Sequence, residues 1–452
     1  MYFVVIRTNG GNLTIDASTD TVKHYGDGVV LNIDAIASSS YHESGYFPKA
    51  IIKKGRIVVE SAGKIQVIDA TAATAAVVVE KAGTGTVANI VKGENANVEV
   101  AADLTEKIAT LTTVTTWSAL KTEVESGTNN VIKFEPTEEQ TNATTISIAR
   151  SVSILGNNTL VTGTNDGLAL SNGTKQWNGL INITGTGIDV GLDSLNLQST
   201  ATSNSRSAIN FVSGNNTVVV TNSTLTAKYG ICSNIEGADN NKLTLKYVSF
   251  GASSYCSLFW RSNNGVINAN NTSFSSFNSS NNNQSDGFAT IVIDFRQKTA
   301  QIDSKTENNV LTLTDCKISA TQLGNAVQSF LAVWSPYNNI VNLNNCGYSS
   351  NNCFMSVAKG FIADPACTGP KMTTQYFDVD FPTNSSHIYV DGSLADDYLN
   401  VVQVVTIPQC IPCIKGTTTS NHNTYGGPDY APLYGYEQID NGNGTWTYRK
   451  AN

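Results

Sequence analysis

The chain has 452 residues, enough for a large core and more than one domain, and carries a net charge of −8 with a pI near 5.1. Only 14% of its residues are charged, against roughly a quarter in an average soluble protein. That balance argues against nucleic acid as a partner, because neutralising phosphates needs clustered Lys and Arg, and no run approaches the roughly 18 apolar residues of a membrane span.

The first residues, MYFVVIRTNGGN, lack the basic start, apolar stretch and small-residue cleavage site of a secretory signal. A cytosolic protein is one reading. A mature or internal piece of a longer exported chain is the other, and low charge, few Met and abundant Asn, Thr and Ser favour it. Residues 1–105 alternate apolar and polar side chains, as in Asn12-Leu-Thr-Ile-Asp16, Arg56-Ile-Val-Val-Glu60 and Lys64-Ile-Gln-Val-Ile68. Short strands punctuated by Gly at this spacing predict a small β-roll or β-solenoid unit.

A change of period follows. Thr116 is placed to cap a helix near 116–126 with Trp117, Leu120 and Val124 on one stripe, stopping near Gly127. Strand-like Val131-Ile-Lys-Phe134, Ile146-Ser-Ile148 and Val152-Ser-Ile-Leu155 come next. An amphipathic helix here suits the cap of a solenoid, whose first coil must be hidden from water and from edge pairing.

Five copies of an eleven-residue phrase then begin at Asn215, Asn240, Asn264, Asn308 and Asn338, separated by 25, 24, 44 and 30 residues. Their fourth and sixth places hold Val218/Val220, Leu243/Leu245, Ile267/Ala269, Leu311/Leu313 and Val341/Leu343. Apolar residues two apart share one face of a strand. The Asn residues at the head and the Asn or Asp at the eighth place of most copies suit corners, because they tolerate left-handed backbone. A strand–corner–strand unit at this period is the signature of stacked coils. The 44-residue gap contains a polar loop, Ser275–Ser285, and offers room for a degenerate further coil around Ala289–Asp294. From about residue 365, where seven of the ten prolines lie, regular coils are expected to stop. Tyr434–Ile439 and Thr445–Tyr448 flank Asp440-Asn-Gly-Asn-Gly444 as a hairpin.

The capping helix followed by "TNNVIKFEPTEE" and "TTISIARSVSILGNNTLVTG" resembles the opening of pectate-lyase-like, right-handed parallel β-helix proteins, with the likeness covering about 112–360. The first unit, with "DTVKHYGDGVVLNIDAIASSSYHESG" and "GRIVVESAGKIQVI", looks like modules that precede β-helices in large surface proteins of gut Firmicutes. The expected fold is therefore all-β: a right-handed single-stranded parallel β-helix over 106–365 with its capping helix, preceded by the 1–105 unit and followed by a Pro/Tyr-rich region over 366–452.

The resemblance implies fold more than activity, since that superfamily includes lyases, hydrolases, tailspikes and adhesins. Its lyases hold calcium with Asp clusters and its hydrolases use close Asp carboxylates. Residues 197–290 contain only three acidic residues, Glu236, Asp239 and Asp286. Thr164-Asn-Asp-Gly167 reads as a turn. The remaining catalytic candidates are Asp286, Asp294 and Arg296, with Asp303 nearby. Glycan contact needs exposed rings beside hydrogen-bonding groups, which points to Trp260, Arg261, Trp334 and Tyr337; core filling by Trp260 and Trp334 is the alternative. Of the eight cysteines, Cys410 and Cys413 suggest a bridge, while Cys316 and Cys346, at equivalent places of stacked coils, are either a bridge or buried thiols. His24, His42, His387 and His422 are expected on the surface or in loops, and no metal or cofactor is implied.

These readings favour an extracellular or cell-surface, non-catalytic β-helix acting in adhesion, glycan contact or structural projection, with glycans or host and cell-surface components as partners. The alternatives are a polysaccharide lyase, hydrolase or tailspike-type depolymerase, and a self-assembling filament subunit that would be a homo-oligomer.

Overall fold

The structure, a computed structural model, describes residues 3–16, 21–34, 40–165, 178–200, 206–233, 237–251, 256–278, 288–293, 296–298, 301–304, 306–322, 328–333 and 338–350, together with short strands at 168–169, 175–176, 356–357, 387–390, 393–394, 436–440 and 446–450. It divides into two compact units: Met1–Thr137 with Ser151–Asn157 and Gly191–Ser194, and Glu138–Arg150 with Asn158–Val190 and Leu195–Asn452. The fold is all-β and built from long parallel sheets of successive strands, a parallel β-helix solenoid. No helix among the described residues is long and apolar enough to cross a membrane.

In the first unit each coil contributes two strands. These are β1 (Phe3–Asn9) and β2 (Asn12–Ile15), β3 (Thr21–Asp27) and β4 (Val30–Ile33), β5 (Ser40–Glu43) and β6 (Tyr46–Ile52), β7 (Gly55–Val59) and β8 (Lys64–Ala70), β9 (Val77–Lys81) and β10 (Thr86–Lys92), then β11 (Val98–Val100). Odd strands pair in parallel with odd and even with even, as in Val22↔Tyr41, Tyr41↔Ile57 and Ile57↔Val79, and Asp27 of β3 also pairs with Tyr46 of β6. Alternation turns Leu31, Tyr41, Phe47, Ile57 and Ile68 into a shared interior, each essentially without solvent contact. Helix α1 (Trp117–Ser126) is capped by Thr116, whose hydroxyl accepts from Ala119 N–H at 3.2 Å. It buries Trp117, Leu120 and Val124, with Trp117 edge-on to Phe134 at 6.0 Å.

The second unit stacks its coils as three parallel sheets. The phrases supply the first, where Val218↔Leu243, Leu243↔Ile267, Ile267↔Leu311 and Leu311↔Val341 are register partners. Both inward rows of this sheet are at most 3% exposed. At about 1.5–3 kcal/mol for each buried aliphatic side chain, these rows are the main stabilising term of the stack. The eleventh places build the second sheet, in which Phe250 and Phe274 stack at 5.0 Å. A third sheet runs through Ile181, Ile209, Ile231, Leu258, Ile291 and Leu331.

Two expectations about the coils change. The strand Val266–Asn270 pairs directly with Val310–Thr314, so the 44-residue gap holds one coil and no extra turn. Phe288–Ile293 is that coil's own third-sheet strand, followed by an antiparallel pair, Arg296–Lys298 with Gln301–Ser304. Beyond residue 365, His387–Val390 still pairs in parallel with Ile340–Leu343. The terminal hairpin forms as Tyr436–Asp440 against Trp446–Lys450.

The corners explain the asparagines. Asn215, Asn240, Asn264, Asn308 and Asn338 all have φ between 52° and 63°, and the eighth places Asn222, Tyr247, Asn271, Asp315 and Asn345 have φ between 47° and 55°. A Cβ in this region costs an ordinary residue about 1–2 kcal/mol. Asn264→Ala should therefore lower stability by about 1 kcal/mol while Asn264→Gly is nearly neutral, as read from denaturant midpoints.

Behind each corner lies a buried ladder. Asn216 Oδ1 accepts from Ile188 N–H at 3.0 Å, Asn241 Oδ1 from Asn216 N–H at 2.9 Å, and Asn339 Oδ1 from Asn309 N–H at 3.1 Å. Their amide N–H groups donate to corner carbonyls such as Ala238 O and Thr306 O, both at 2.8 Å. Each side chain thus satisfies backbone groups that the corner would otherwise bury unpaired.

Candidate functional site

Trp260 has no exposed surface. Its indole N–H donates to Asn309 Oδ1 at 3.1 Å, and Phe211 lies edge-on at 5.4 Å. Gly265 holds the second place of its phrase, where four of the copies have Asn, and a Cβ there would come within 2.7 Å of the indole nitrogen. The indole therefore occupies the space of a ladder asparagine. This corrects the expectation that Trp260 meets a ligand: an enclosed ring has no face for a sugar.

Arg261, the next residue, turns outward. Its guanidinium carbon stands 4.5 Å above the Phe259 ring, and Tyr229 packs against that ring at 5.2 Å. Register pairs Tyr229 with Cys256 and Cys232 with Phe259, on adjacent strands of the third sheet. Lys228, only 7% exposed, precedes Tyr229. Burial and then the positive charge of Arg206 push its ammonium down to about 8, while Cys256 acts in the opposite direction. Arg206 and Lys228 thus put positive charge at the entry end of neighbouring third-sheet strands, and Arg261, just after Trp260, puts it at their exit end, in a chain whose net charge is −8. Arg206 and Lys228 were missed in sequence because they are far apart along it; their places just before and at the start of neighbouring third-sheet strands were the available signal.

The other sequence candidates are not assembled with these cations. Asp286, Asp294, Trp334, Tyr337, Cys410 and Cys413 lie outside the described residues, and Arg296 is described only as a strand residue. Cys316 and Cys346 are free thiols, as are Cys232 and Cys256. Of the two alternatives for Cys316 and Cys346, the structure has the thiols, which donate to backbone carbonyls, Cys316 to Thr314 O at 3.3 Å and Cys346 to Asn344 O at 3.4 Å. Ser223 donates to Thr221 O in the same position, at 2.6 Å. The hydrogen bond with Cys346 and burial both push the Cys316 thiol up, and burial followed by the neighbouring Cys256 does so for Cys232, so these sulfurs are poor nucleophiles.

The first unit holds polar chemistry that the sequence did not announce. His24, expected on the surface, is fully buried beside Phe47 at 5.2 Å, because its strand alternates Val22 and His24 inward. Its Nδ1–H faces Glu43 at 2.9 and 3.0 Å, and its Nε2 accepts from the Thr8 hydroxyl at 2.7 Å. Tyr41 O–H and Gly45 N–H also donate to Glu43, at 2.6 and 2.5 Å. Burial, then the Glu43 charge, pushes the Tyr41 phenol far up, so it stays a donor. On the opposite, outward face of β5, Ser40 Oγ lies 2.6 Å from His42 Nε2, and His42 Nδ1 lies 2.5 Å from Glu60 Oε1.

Comparison of the chain with protein-family models, with curated proteins and with solved structures gave no match.

Proposed function

We propose that this chain is an extracellular β-helix of the pectate-lyase-like type whose second unit presents a lateral contact face to acidic glycans and holds them without cleaving them. The observation that carries the reading is the set of cations along the third sheet: Arg206 and Lys228 at the entry end of its strands and Arg261, over the Phe259 ring, at the exit end. Uronate or sulfate groups on a polysaccharide repeat along the polymer, and guanidinium groups bind such oxyanions with paired hydrogen bonds. The stack of coils supplies rigidity: in-register rows and asparagine ladders fix the cations' positions before a ligand arrives.

The test is retention on polygalacturonate or heparin in affinity electrophoresis. Replacing both Arg261 and Lys228 with alanine should weaken retention by about tenfold or more, given about 1.5–3 kcal/mol for a hydrogen bond to a charged group. The lysine also sets a pH dependence. Its value in the folded chain, about 8, lies below the ordinary 10.5, so its charge and its share of the retention are lost as pH rises through 8. Unchanged retention in the double variant would overturn the reading.

A filament subunit is the second reading, and β1 favours it. Among the described strands β1 pairs only with β3, and it exposes Val4 and Val5 at 45% each. An apolar, singly paired strand invites another chain. Sedimentation that grows with concentration, and stays monomeric in Val4→Lys, supports this; concentration-independent sedimentation rejects it.

A further inference from the structure

We propose that Ser40, His42 and Glu60 form a nucleophilic site in which Ser40 attacks carboxylic esters. Ser40 and His42 are two apart on β5, so both stand on its outward face, and Glu60 directly follows β7, the strand that pairs with β5. The chain of contacts runs from hydroxyl to imidazole to carboxylate, at 2.6 Å and 2.5 Å. The carboxylate can only accept, so it holds the proton on His42 Nδ1. That leaves the Nε2 lone pair to receive the Ser40 proton, the tautomer a general base requires. The side chains of His42 and Glu60 are 22% and 34% exposed, so an ester in solution reaches the hydroxyl while the imidazole is still held in place. Lys23, the register partner of His42 on β3, lies on the same outward row.

The buried Thr8–His24–Glu43 chain is an internal comparison. It repeats the same order of groups, but its imidazole and carboxylate have no exposed surface and its carboxylate is shared with Tyr41 and Gly45. Enclosure makes that chain a packing device; exposure makes the Ser40 chain a reactive one.

In the reaction the Ser40 oxygen bonds to the ester carbonyl carbon as its proton passes to His42 Nε2. The carbon–alkoxy bond breaks, and the departing alcohol takes that proton. Water then repeats the sequence, with His42 as base, to release the carboxylic acid and restore Ser40. Water is the one co-reactant, and no oxidant or reductant is needed.

The experiment treats the full chain with a fluorophosphonate probe, followed by intact mass and peptide mapping, and measures hydrolysis of p-nitrophenyl acetate in parallel. One adduct on Ser40 is expected, with none on Thr8. Ser40→Ala should lose both adduct and hydrolysis, and His42→Gln should slow both by about a hundredfold or more, the usual loss for a general base. Glu60→Gln, which keeps size and a hydrogen bond, should slow them less. Unchanged circular dichroism in the variants separates lost chemistry from lost fold. Absence of a Ser40 adduct, or equal labelling rates in wild type and His42→Gln, would overturn the proposal.

Discussion

Trp260→Ala is expected to lower the unfolding free energy by about 3–5 kcal/mol, the range for truncating a buried aromatic side chain, and to leave retention on acidic glycans unchanged. The ring has no exposed surface and meets Phe211, two strands away in the third sheet, edge-on, so its removal opens a cavity in the coil interior. It also deprives Asn309 of one of its donors, although Gly265 N–H still donates to the same oxygen at 2.7 Å. The reverse substitution tests the same geometry. Gly265→Asn places a Cβ against the indole nitrogen and should destabilise the chain as well, even though it restores the ladder residue found in four other copies of the phrase. Urea unfolding followed by tryptophan fluorescence and circular dichroism gives both numbers. A loss under about 1 kcal/mol for Trp260→Ala would mean that the ring is not packed as described.

Glu43→Ala should cost a similar amount, about 3–5 kcal/mol, because removing a buried carboxylate leaves the donors hydrogen-bonded to it unsatisfied. Here three donors lose their acceptor: the His24 imidazole, the Tyr41 hydroxyl and the Gly45 amide. Exchanging the pair together, as His24→Leu with Glu43→Met, removes the polar groups with their partners and should recover most of the loss, though Tyr41 is then left without its acceptor. Adding Tyr41→Phe should recover more. A double variant no more stable than Glu43→Ala would show that the buried pair is worth more than its desolvation costs. Hydrogen exchange at the first unit's amides locates the effect.

How much of this was legible follows from what each residue advertises. The inward rows were readable because Val218/Val220 and Leu311/Leu313 alternate strictly, and the corners because asparagine marks them. A further turn, Gly187–Leu197, was overlooked. Gly187 and Ile188 stand where the other copies have an Asn pair or Asn-Gly, yet Gly187 and Ser194 have the same positive φ, 70° and 55°. The ring of Trp260 was not assignable from its own sequence neighbourhood, since an aromatic outside the phrase fits a groove or a core equally well. The informative residue was Gly265, whose missing side chain makes room for it. His24 and Glu43 were hidden for another reason. Each is a lone polar residue at an inward place of its strand, after Val22 and Tyr41, and the pairing shows only when the 19-residue offset between those strands is known. The set of cations likewise depends on offsets between coils that an irregular spacing of 24 to 44 residues conceals.

The phrases as successive, in-register turns can be tested by cross-linking. Val219 and Thr244 are register partners on the outward face of the first sheet, which sets their Cα atoms roughly 4.8 Å apart, within disulfide range. Val219→Cys with Thr244→Cys should oxidise to a single linked tryptic peptide pair. Val219→Cys with Lys246→Cys, displaced by two residues to about 8 Å, should stay reduced. Linking of the displaced pair instead, or of neither, would contradict the stacked register from which the cation positions, the ladders and the Trp260 pocket all follow.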